Sequence, residues 1–309
     1  MIGTITLNPS IDQNILVDKL LKDDTNRARD IFETAGGKGI NVSKVVRELG
    51  GSTRAYALLG GFAGEYLKEL ARPLDFSLIH HAVKGHTRVN TVVTDLEDDT
   101  QTRISAPGPV VTAAEMQSFS RRLLSVRPKP FCWALGGSIS RGMKPAIYRD
   151  LVRALQKNGS PCILDTDNEA LEKGVQAKPY MIKPNEYEIE RLSGKSLKSL
   201  GDYLLAARHW VRSGIRLVVV SLGPRGALFV ANEQAFHASA PKVTVTSKVG
   251  AGDSLIAGVA WGLCQNRTLK EAAKLGIAAS SSAVMREAPR LCLKKDIPGL
   301  MNRVIIHDM

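Results

Sequence analysis

The stretch Val249-Gly250-Ala251-Gly252-Asp253-Ser254 decides the fold, because it joins two glycines and an acid directly to the start of a helix. Apolar residues follow it at helical spacing, at Leu255, Ile256, Val259 and Leu263. This pattern predicts a tight turn that opens into a buried helix. Such a helix begins with backbone N–H groups that have no partner, and its dipole adds partial positive charge there. Because the two glycines have no Cβ, an anion can approach this backbone closely.

Asp253 is the unexpected residue of this turn, since a carboxylate repels the anion that the free N–H groups attract. A general base removes the contradiction. Asp253 would take a proton from a hydroxyl while the amides hold the charge that develops on a transferred phosphoryl group. The alternative is an ordinary helix entry with an acidic first turn, and the stretch alone does not decide between the two.

On both sides of this turn, strands and helices alternate along the chain. Strands are predicted at residues 2–7, 53–60, 131–135, 161–165, 180–183 and 216–221. A helix is predicted to follow Ala35-Gly36-Gly37-Lys38-Gly39 and to end at Gly50, and another is predicted to begin at the capping box Thr112–Glu115. Three further helices are predicted near residues 144–157, 185–192 and 199–213. Apolar parallel strands between amphipathic helices predict an α/β fold with a doubly wound, mainly parallel sheet flanked by helices. Its ligands would bind at the carboxyl ends of the strands, where Asp12 follows the first strand.

Two segments do not fit this alternation. Residues 14–34 have no helical period, and residues 87–106 contain two alternating runs joined by the acidic turn Glu97-Asp98-Asp99, which predicts a hairpin. Together they predict a small β-sheet lid over the site. Exposed edges on such a sheet favour pairing with a second copy, so we expect a homodimer that forms through the lid.

Length and composition predict one large domain spanning residues 1–309. No apolar run approaches the roughly 20 residues that span a bilayer, and no charged leader precedes the first strand. The four cysteines, Cys132, Cys162, Cys264 and Cys292, are widely separated, which favours buried free thiols in a reducing compartment. We therefore expect a cytoplasmic protein without a membrane partner.

The net charge of +12 indicates a surface biased towards anionic partners. Lysine and arginine are spread along the chain and aromatic residues make up only 5%, so nucleic acid is not an expected partner. The six histidines have no metal-ligand spacing. A Walker loop is absent, and the first strand–helix turn has no GxGxxG, which argues against a nicotinamide enzyme.

A series of motifs gives the chain a family resemblance along nearly its whole length. They are TLNPSID from Thr6, NRA from Asn26, AGGKGINV from Ala35, LGGFAGE from Leu59, TRVN from Thr87, APGP from Ala106, KPNEYE from Lys183, SLGPRGA from Ser221 and VGAGDS from Val249. With these motifs the chain resembles the pfkB carbohydrate kinases of the ribokinase-like superfamily. It is most similar to the subgroup of 1-phosphofructokinases, tagatose-6-phosphate kinases and minor 6-phosphofructokinases.

The resemblance implies a role for each matching residue. Asp253 would be the catalytic base, and Gly250, Ala251 and Gly252 would form the anion hole. Glu188 of the NxxE motif would position Mg²⁺ indirectly, through water or phosphate. The nucleotide would be bound by Lys183, Asn185, Ser221, Gly223, Gly226, Ile277 and Ser281. The sugar would be bound by Asp12, Gly37, Lys38, Asn41 and Ser138, with Arg27 and Arg88 facing the phosphate that the substrate already carries.

Four segments depart from the family pattern. Gly137-Ser138-Ile139-Ser140-Arg141-Gly142 stands where relatives usually carry GSLPPG, and Asp165-Thr166-Asp167-Asn168 adds charge beside the sugar. Lys248 stands where threonine is common, and Glu287-Ala288-Pro289 replaces a glycine-containing segment. None of these changes affects the proposed base, but they leave the substrate open.

The expected function is therefore phosphorylation of a ketohexose monophosphate, with ATP and Mg²⁺, from fructose 1-phosphate or fructose 6-phosphate to the 1,6-bisphosphate. Tagatose 6-phosphate, an unphosphorylated sugar and a nucleoside remain alternatives. A non-catalytic sugar-phosphate-binding paralogue is an alternative of another class, although Asp253 between its glycines argues against it. A monovalent-cation requirement, allosteric control by ATP and the oligomeric state stay open.

Overall fold

The computed structural model of the protein describes residues 1–287 and 290–309. Its strands are β1 (Ile2–Thr6), β2 (Ser10–Val17), β3 (Asp30–Gly36), β4 (Thr53–Leu59), β5 (Ser77–Ala82), β6 (Arg88–Asp95), β7 (Thr100–Ile104), β8 (Trp133–Gly136), β9 (Cys162–Asp165), β10 (Met181–Ile182), β11 (Leu217–Ser221), β12 (Ala227–Ala231), β13 (Ala235–Ser239) and β14 (Ile305–Asp308). Its helices are α1 (Lys38–Glu48), α2 (Gly61–Ala71), α3 (Ala113–Leu124), α4 (Ile147–Lys157), α5 (Asn168–Gly174), α6 (Glu186–Ser193), α7 (Leu200–Arg212), α8 (Ala251–Cys264), α9 (Leu269–Val284) and α10 (Ile297–Arg303). Ala288 and Pro289, which belong to the fourth departure, lie outside the described residues.

The main sheet has the order β14-β13-β12-β11-β10-β9-β8-β1-β4-β5. All strand pairs from β11 to β5 are parallel, whereas β12, β13 and β14 are added in antiparallel orientation. The predicted strands are all present, with ends shifted by at most two residues. The three antiparallel strands were not predicted.

Helices cover both faces of this sheet because adjacent residues of each strand point to opposite sides. On β9, Leu164 packs into the layer that contains Phe119 of α3 and Tyr148 of α4. Its neighbour Ile163 packs into the opposite layer, with residues of α1, α8 and α9 such as Val259. Among the described residues, no helix is long and apolar enough to cross a membrane.

The small sheet has the order β3-β2-β6-β7. Strands β2 and β6 pair in parallel, and the two other pairs are antiparallel. The lid predicted at residues 14–34 and 87–106 starts earlier, at Ser10, because Ser10 pairs with both Gly36 and Arg88. Asp12 consequently lies inside a lid strand rather than in a loop that follows the first strand.

Candidate active site

The anion-binding turn predicted from the sequence is formed by Gly250 and the first turn of α8. Gly250 has a left-handed backbone, with φ of 74°, and no side chain caps the helix. A Cβ on Gly250 would also overlap the side chain of Leu291. Glycine therefore allows both the turn and the close packing, and the N–H groups that begin α8 are left without a side-chain cap.

Asp253 lies in this first turn and is buried, with 7% of the residue exposed. Asn41 Nδ2 donates a hydrogen bond of 2.8 Å to Asp253 Oδ2. Burial raises the pKa of Asp253 to about 6, and the charge of Asp165 adds to this effect. The ammonium groups of Lys38 and Lys183 and the bond from Asn41 act in the opposite direction. A carboxyl group with such a pKa can accept a proton near neutral pH.

Asp165, at the end of β9, contacts two lysines that act on Asp253. Lys38 Nζ and Lys183 Nζ each lie 3.2 Å from Asp165 Oδ1. Burial would raise the pKa of Asp165, but the two ammonium groups outweigh it and keep the pKa below its ordinary value. Burial would lower the pKa of Lys38, but Asp165, together with other nearby carboxylates, keeps it raised. Asp165 and Lys38 are therefore both charged at neutral pH.

On the lid side, Asp12 is held by two donors. Ser10 Oγ and Asn90 Nδ2 bind Asp12 Oδ1 at 2.7 and 3.1 Å. Asn90 was missed as a site residue, although the quoted motif TRVN contains it. Gly37, with φ of 116°, immediately precedes α1, which carries Lys38 and Asn41.

Lys44 connects the lid to α1 and was also missed. Its Nζ donates to Thr34 Oγ1 at 2.9 Å and to the carbonyl oxygen of Ala35 at 2.5 Å, both at the end of β3. Burial lowers the pKa of Lys44 to about 8, against the charges of Asp12 and Asp253. Lys38, Asn41 and Lys44 thus face the site from successive turns of α1.

Arg88 lies at the base of the lid. Its Nη1 donates to the carbonyl oxygen of Ala106 at 2.9 Å and its Nη2 to that of Asn8 at 3.1 Å. Its Nε is buried and has no hydrogen-bond partner among the described residues. Asn8 Nδ2 also donates to Ser138 Oγ at 3.2 Å, so Ser138 and Arg88 lie on the same wall.

Arg27 corrects one expectation, because it does not lie near Arg88 in the same chain. It is exposed, in the loop between β2 and β3. Arg88 pairs with Ser10 at one end of β2, whereas this loop joins the other end, after Leu16 and Val17. Six residues of a strand span about 20 Å. The two lid segments form one sheet as predicted, but the two arginines do not converge within one chain.

A cavity of about 770 Å³ lies against Ala251 and Gly252 at the start of α8, between α8, α9 and the turns after β10 and β11. Such a volume lies within the usual range for small-molecule sites. Six of the seven residues predicted to bind the nucleotide line it: Asn185, Ser221, Gly223, Gly226, Ile277 and Ser281. The seventh, Lys183, contacts Asp165 instead. Tyr187 and Lys248 also line the cavity and are exposed.

Asn185 and Glu188 bind each other across the start of α6. Glu188 N donates to Asn185 Oδ1 at 2.9 Å, and Asn185 N donates to Glu188 Oε2 at 2.8 Å. The NxxE spacing is therefore also a capping box, which was not predicted from the motif. Burial raises the pKa of Glu188, against the bond from Asn185.

The residues present fit a magnesium ion that is bound mainly by phosphate and water. No group of three or more His, Cys, Asp or Glu side chains in the described ranges could hold a metal. Mg²⁺ usually keeps several waters and uses only one or two carboxylates besides the phosphates of its substrate. Glu188 Oε1, which makes no hydrogen bond within residues 1–287 and 290–309, is the carboxylate oxygen available for this purpose.

Comparison with known proteins gives consistent matches. The sequence pattern of the pfkB family carbohydrate kinases matches residues 2–296. A 1-phosphofructokinase of Bacillus subtilis is 32% identical over 93% of both chains. A tagatose-6-phosphate kinase of Staphylococcus epidermidis is 33% identical over 89% of both.

Solved structures match as well. Phosphofructokinase-2 of Escherichia coli, in a complex with potassium, has a TM-score of 0.93 at 32% identity, over 97% of this chain and 98% of the other. Another structure of that enzyme is a tetrameric inhibited form. The ribokinase-like α/β fold predicted from the sequence is confirmed by these structural matches.

Proposed function

This chain belongs to the pfkB family of carbohydrate kinases, and we propose that it phosphorylates a ketohexose monophosphate, fructose 1-phosphate or fructose 6-phosphate, at the expense of ATP. One observation carries the proposal. Asp253, a buried carboxyl group with a raised pKa, lies between a cavity of nucleotide size and the polar base of the lid. The proposed reaction is a phosphotransfer to an alcohol, as expected for the family.

In the proposed reaction, Asp12 and Asn90 orient the sugar, and Asp253 takes the proton of its acceptor hydroxyl. The hydroxyl oxygen forms a bond to the γ-phosphorus as the bond from that phosphorus to the bridging oxygen of ADP breaks. The N–H groups that begin α8 and the ammonium groups of Lys38 and Lys183 stabilise the charge that develops on the phosphoryl group. Mg²⁺ near Glu188 would neutralise further charge on the phosphates when bound.

The substrate choice rests on the matched relatives, which are phosphofructokinases and a tagatose-6-phosphate kinase. Two of the departures contain a charged residue that contacts a partner inside the protein. Arg141 Nε donates to the carbonyl oxygen of Gly108 at 3.0 Å, and Asp165 is paired with two lysines. Tagatose 6-phosphate remains the second candidate, because a relative that matches equally well is named for it.

A coupled ADP-release assay across a panel of sugars tests this proposal. We expect turnover of fructose 1-phosphate or fructose 6-phosphate to exceed that of tagatose 6-phosphate, fructose, ribose and adenosine. EDTA should abolish it, and parallel reactions in KCl and NaCl would test a monovalent-cation requirement. ADP release that is fastest with an unphosphorylated sugar or a nucleoside would contradict the proposed substrate. Binding of a sugar phosphate without ADP release would instead favour a non-catalytic paralogue.

We also propose a cytoplasmic homodimer that forms through the lid. The four free cysteines support the reducing compartment. The lid strands expose apolar side chains that a second copy would cover: Ile31, Phe32 and Ile104 are 50%, 45% and 62% exposed. A phosphate-binding role for Arg27 would then require that it reach the site of the second copy.

Sedimentation of the purified protein is expected to give twice the chain mass of 33.5 kDa. Ile104→Glu should shift it towards the monomer, because a charge would replace an apolar contact in the lid. Ile305→Glu is the matched control, since Ile305 is 60% exposed on β14 of the other sheet. An Ile104→Glu protein that remains dimeric would contradict a lid interface.

A further inference from the structure

Asp165 occupies an unusual position for a side chain outside the predicted site. It is 3% exposed and ends β9, the strand between β8 and β10. Lys38 comes from α1 on one side and Lys183 follows β10 on the other, and both ammonium nitrogens lie 3.2 Å from the same oxygen. That oxygen makes no well-aligned hydrogen bond within the described residues, so its contacts are mainly ionic.

Several charged groups face Asp253 from the elements that pack around it. Lys38 and Lys44 come from α1, Lys183 from the segment after β10, and Asp165 from the end of β9. Glu188 of α6 acts on the same lysines. Asn41 is the only hydrogen-bond donor to the Asp253 carboxylate among the described residues.

This arrangement solves a problem in the proposed chemistry. Two ammonium groups are useful next to a transferred phosphoryl group, but next to a carboxylate they favour its charged form and weaken it as a base. A second carboxylate that pairs with both lysines keeps them away from Asp253. It also places a like charge near Asp253, which favours proton uptake.

We propose, on the basis of the proposed kinase function, that Asp165 is a positioning residue that holds Lys38 and Lys183 for the phosphoryl group and keeps Asp253 a base at neutral pH. Asp165 then acts through these three side chains and does not itself contact the reacting atoms. One buried charge, that of Asp165, thus sets both the basicity of Asp253 and the positions of the two lysines.

The first test is a titration of Asp253 that does not depend on turnover. In protein labelled with ¹³C at aspartate carboxyl carbons, the Asp253 resonance is assigned by its absence from Asp253→Asn. Wild-type protein should titrate with a pKa of about 6. In Asp165→Asn we expect this value to fall by about one unit, because one like charge is removed and both lysines are released. Asp165→Ser gives the same test should the asparagine variant fold poorly.

Asp167→Asn is the matched control. It removes the same charge only two positions away, but Asp167 is exposed and makes no salt bridge with the described residues. Its Asp253 titration should match the wild type. An unchanged Asp253 pKa in both Asp165→Asn and Asp165→Ser would overturn the proposal, as would an equal decrease in Asp167→Asn.

Kinetics supply the second readout. In Asp165→Asn the acid limb of kcat/KM should move to lower pH, and KM for ATP should rise about tenfold while KM for the sugar changes little. Asp165→Glu should restore the position of the acid limb in part, since it keeps the charge. A wild-type protein that is inactive on every sugar would reject the proposed function, whereas the NMR titration would still test the pairing of Asp165 with Asp253. A rise in KM for ATP without a shift of the acid limb would overturn the proposed effect of Asp165 on Asp253.

Discussion

Asp253→Asn is expected to lower kcat by roughly 10²–10⁴-fold, the usual loss when a general base is removed. The reason is local, because Asp253 is the acidic residue in the first turn of α8, where we propose that the phosphoryl group is bound. The amide that replaces it can still accept the bond from Asn41, so the geometry of the turn is preserved. Steady-state ADP release with saturating ATP and sugar phosphate measures the effect. Activity within threefold of the wild type would remove Asp253 from the mechanism.

The pH dependence provides a sharper form of this prediction. Since burial raises the pKa of Asp253 to about 6, kcat/KM of the wild type should fall below pH 6 as the base becomes protonated. The residual activity of Asp253→Asn should lack this acid limb. A wild-type profile that stays flat down to pH 5 would contradict the assignment.

Stability is the control that separates lost chemistry from lost structure. The raised pKa means that the folded state binds a proton more tightly than the unfolded state, so stability falls as pH rises through this range. Above pH 6 the full destabilisation of the folded state is present, and a pKa increase of about two units corresponds to about 3 kcal/mol. The favourable interaction of the Asp253 carboxylate with the dipole of α8 offsets about 0.3–1 kcal/mol of this destabilisation. Asp253→Asn should therefore raise the free energy of unfolding at pH 8 by about 2 kcal/mol, measured in urea.

Arg88→Ala is expected to raise KM for the sugar phosphate by roughly 10- to 150-fold and to leave KM for ATP unchanged. The two terminal guanidinium nitrogens each donate one hydrogen bond to a backbone carbonyl, which leaves their second N–H groups for a phosphate. A hydrogen bond to a charged group contributes about 1.5–3 kcal/mol, and each 1.4 kcal/mol corresponds to about tenfold in affinity. Initial rates at varied sugar phosphate and at varied ATP separate the two constants.

Arg103→Ala is the matched control for this substitution. Arg103 is an exposed arginine on β7 of the same sheet, and its contact is with Gln101 at 3.5 Å. We expect both of its KM values to stay near those of the wild type. If Arg88→Ala weakened ATP instead, or if free fructose were the better substrate of the wild type, the phosphate-binding assignment would be wrong.

The family and the main elements could be predicted from the sequence because the signals are local. The glycines at 250 and 252, the capping box at Thr112 and the apolar runs of the central strands lie within a few residues of what they specify. The family assignment is confirmed over residues 2–296. Strands β12 to β14 were missed because short strands at a sheet edge have weak periodicity and depend on their neighbours.

The contacts that organise the site depend on distances along the chain that no motif encodes. Asp165 meets Lys38 across 127 positions, and its role appears only once β8, β9 and β10 lie side by side. The separation of Arg27 from Arg88 could not be predicted for the same reason. The parallel register of β2 and β6 places Arg88 opposite Ser10, which was not derivable from two alternating runs. The NxxE motif was identified from the sequence, but its role as the capping box of α6 became clear only from the two hydrogen bonds between Asn185 and Glu188.

Helix α1 has a consequence for protein engineering. Within 11 residues it contacts the end of β9 through Lys38, Asp253 through Asn41 and the root of the lid through Lys44. The lid is therefore not an interchangeable module. A chimera that carries the lid strands of a relative should exchange residues 10–48 as one block, so that the contacts between α1 and the root of the lid are preserved. Within the described part of the chain, side chains in the middle of the lid strands make no such hydrogen bonds to α1, and we expect that these positions can be varied separately to change sugar preference.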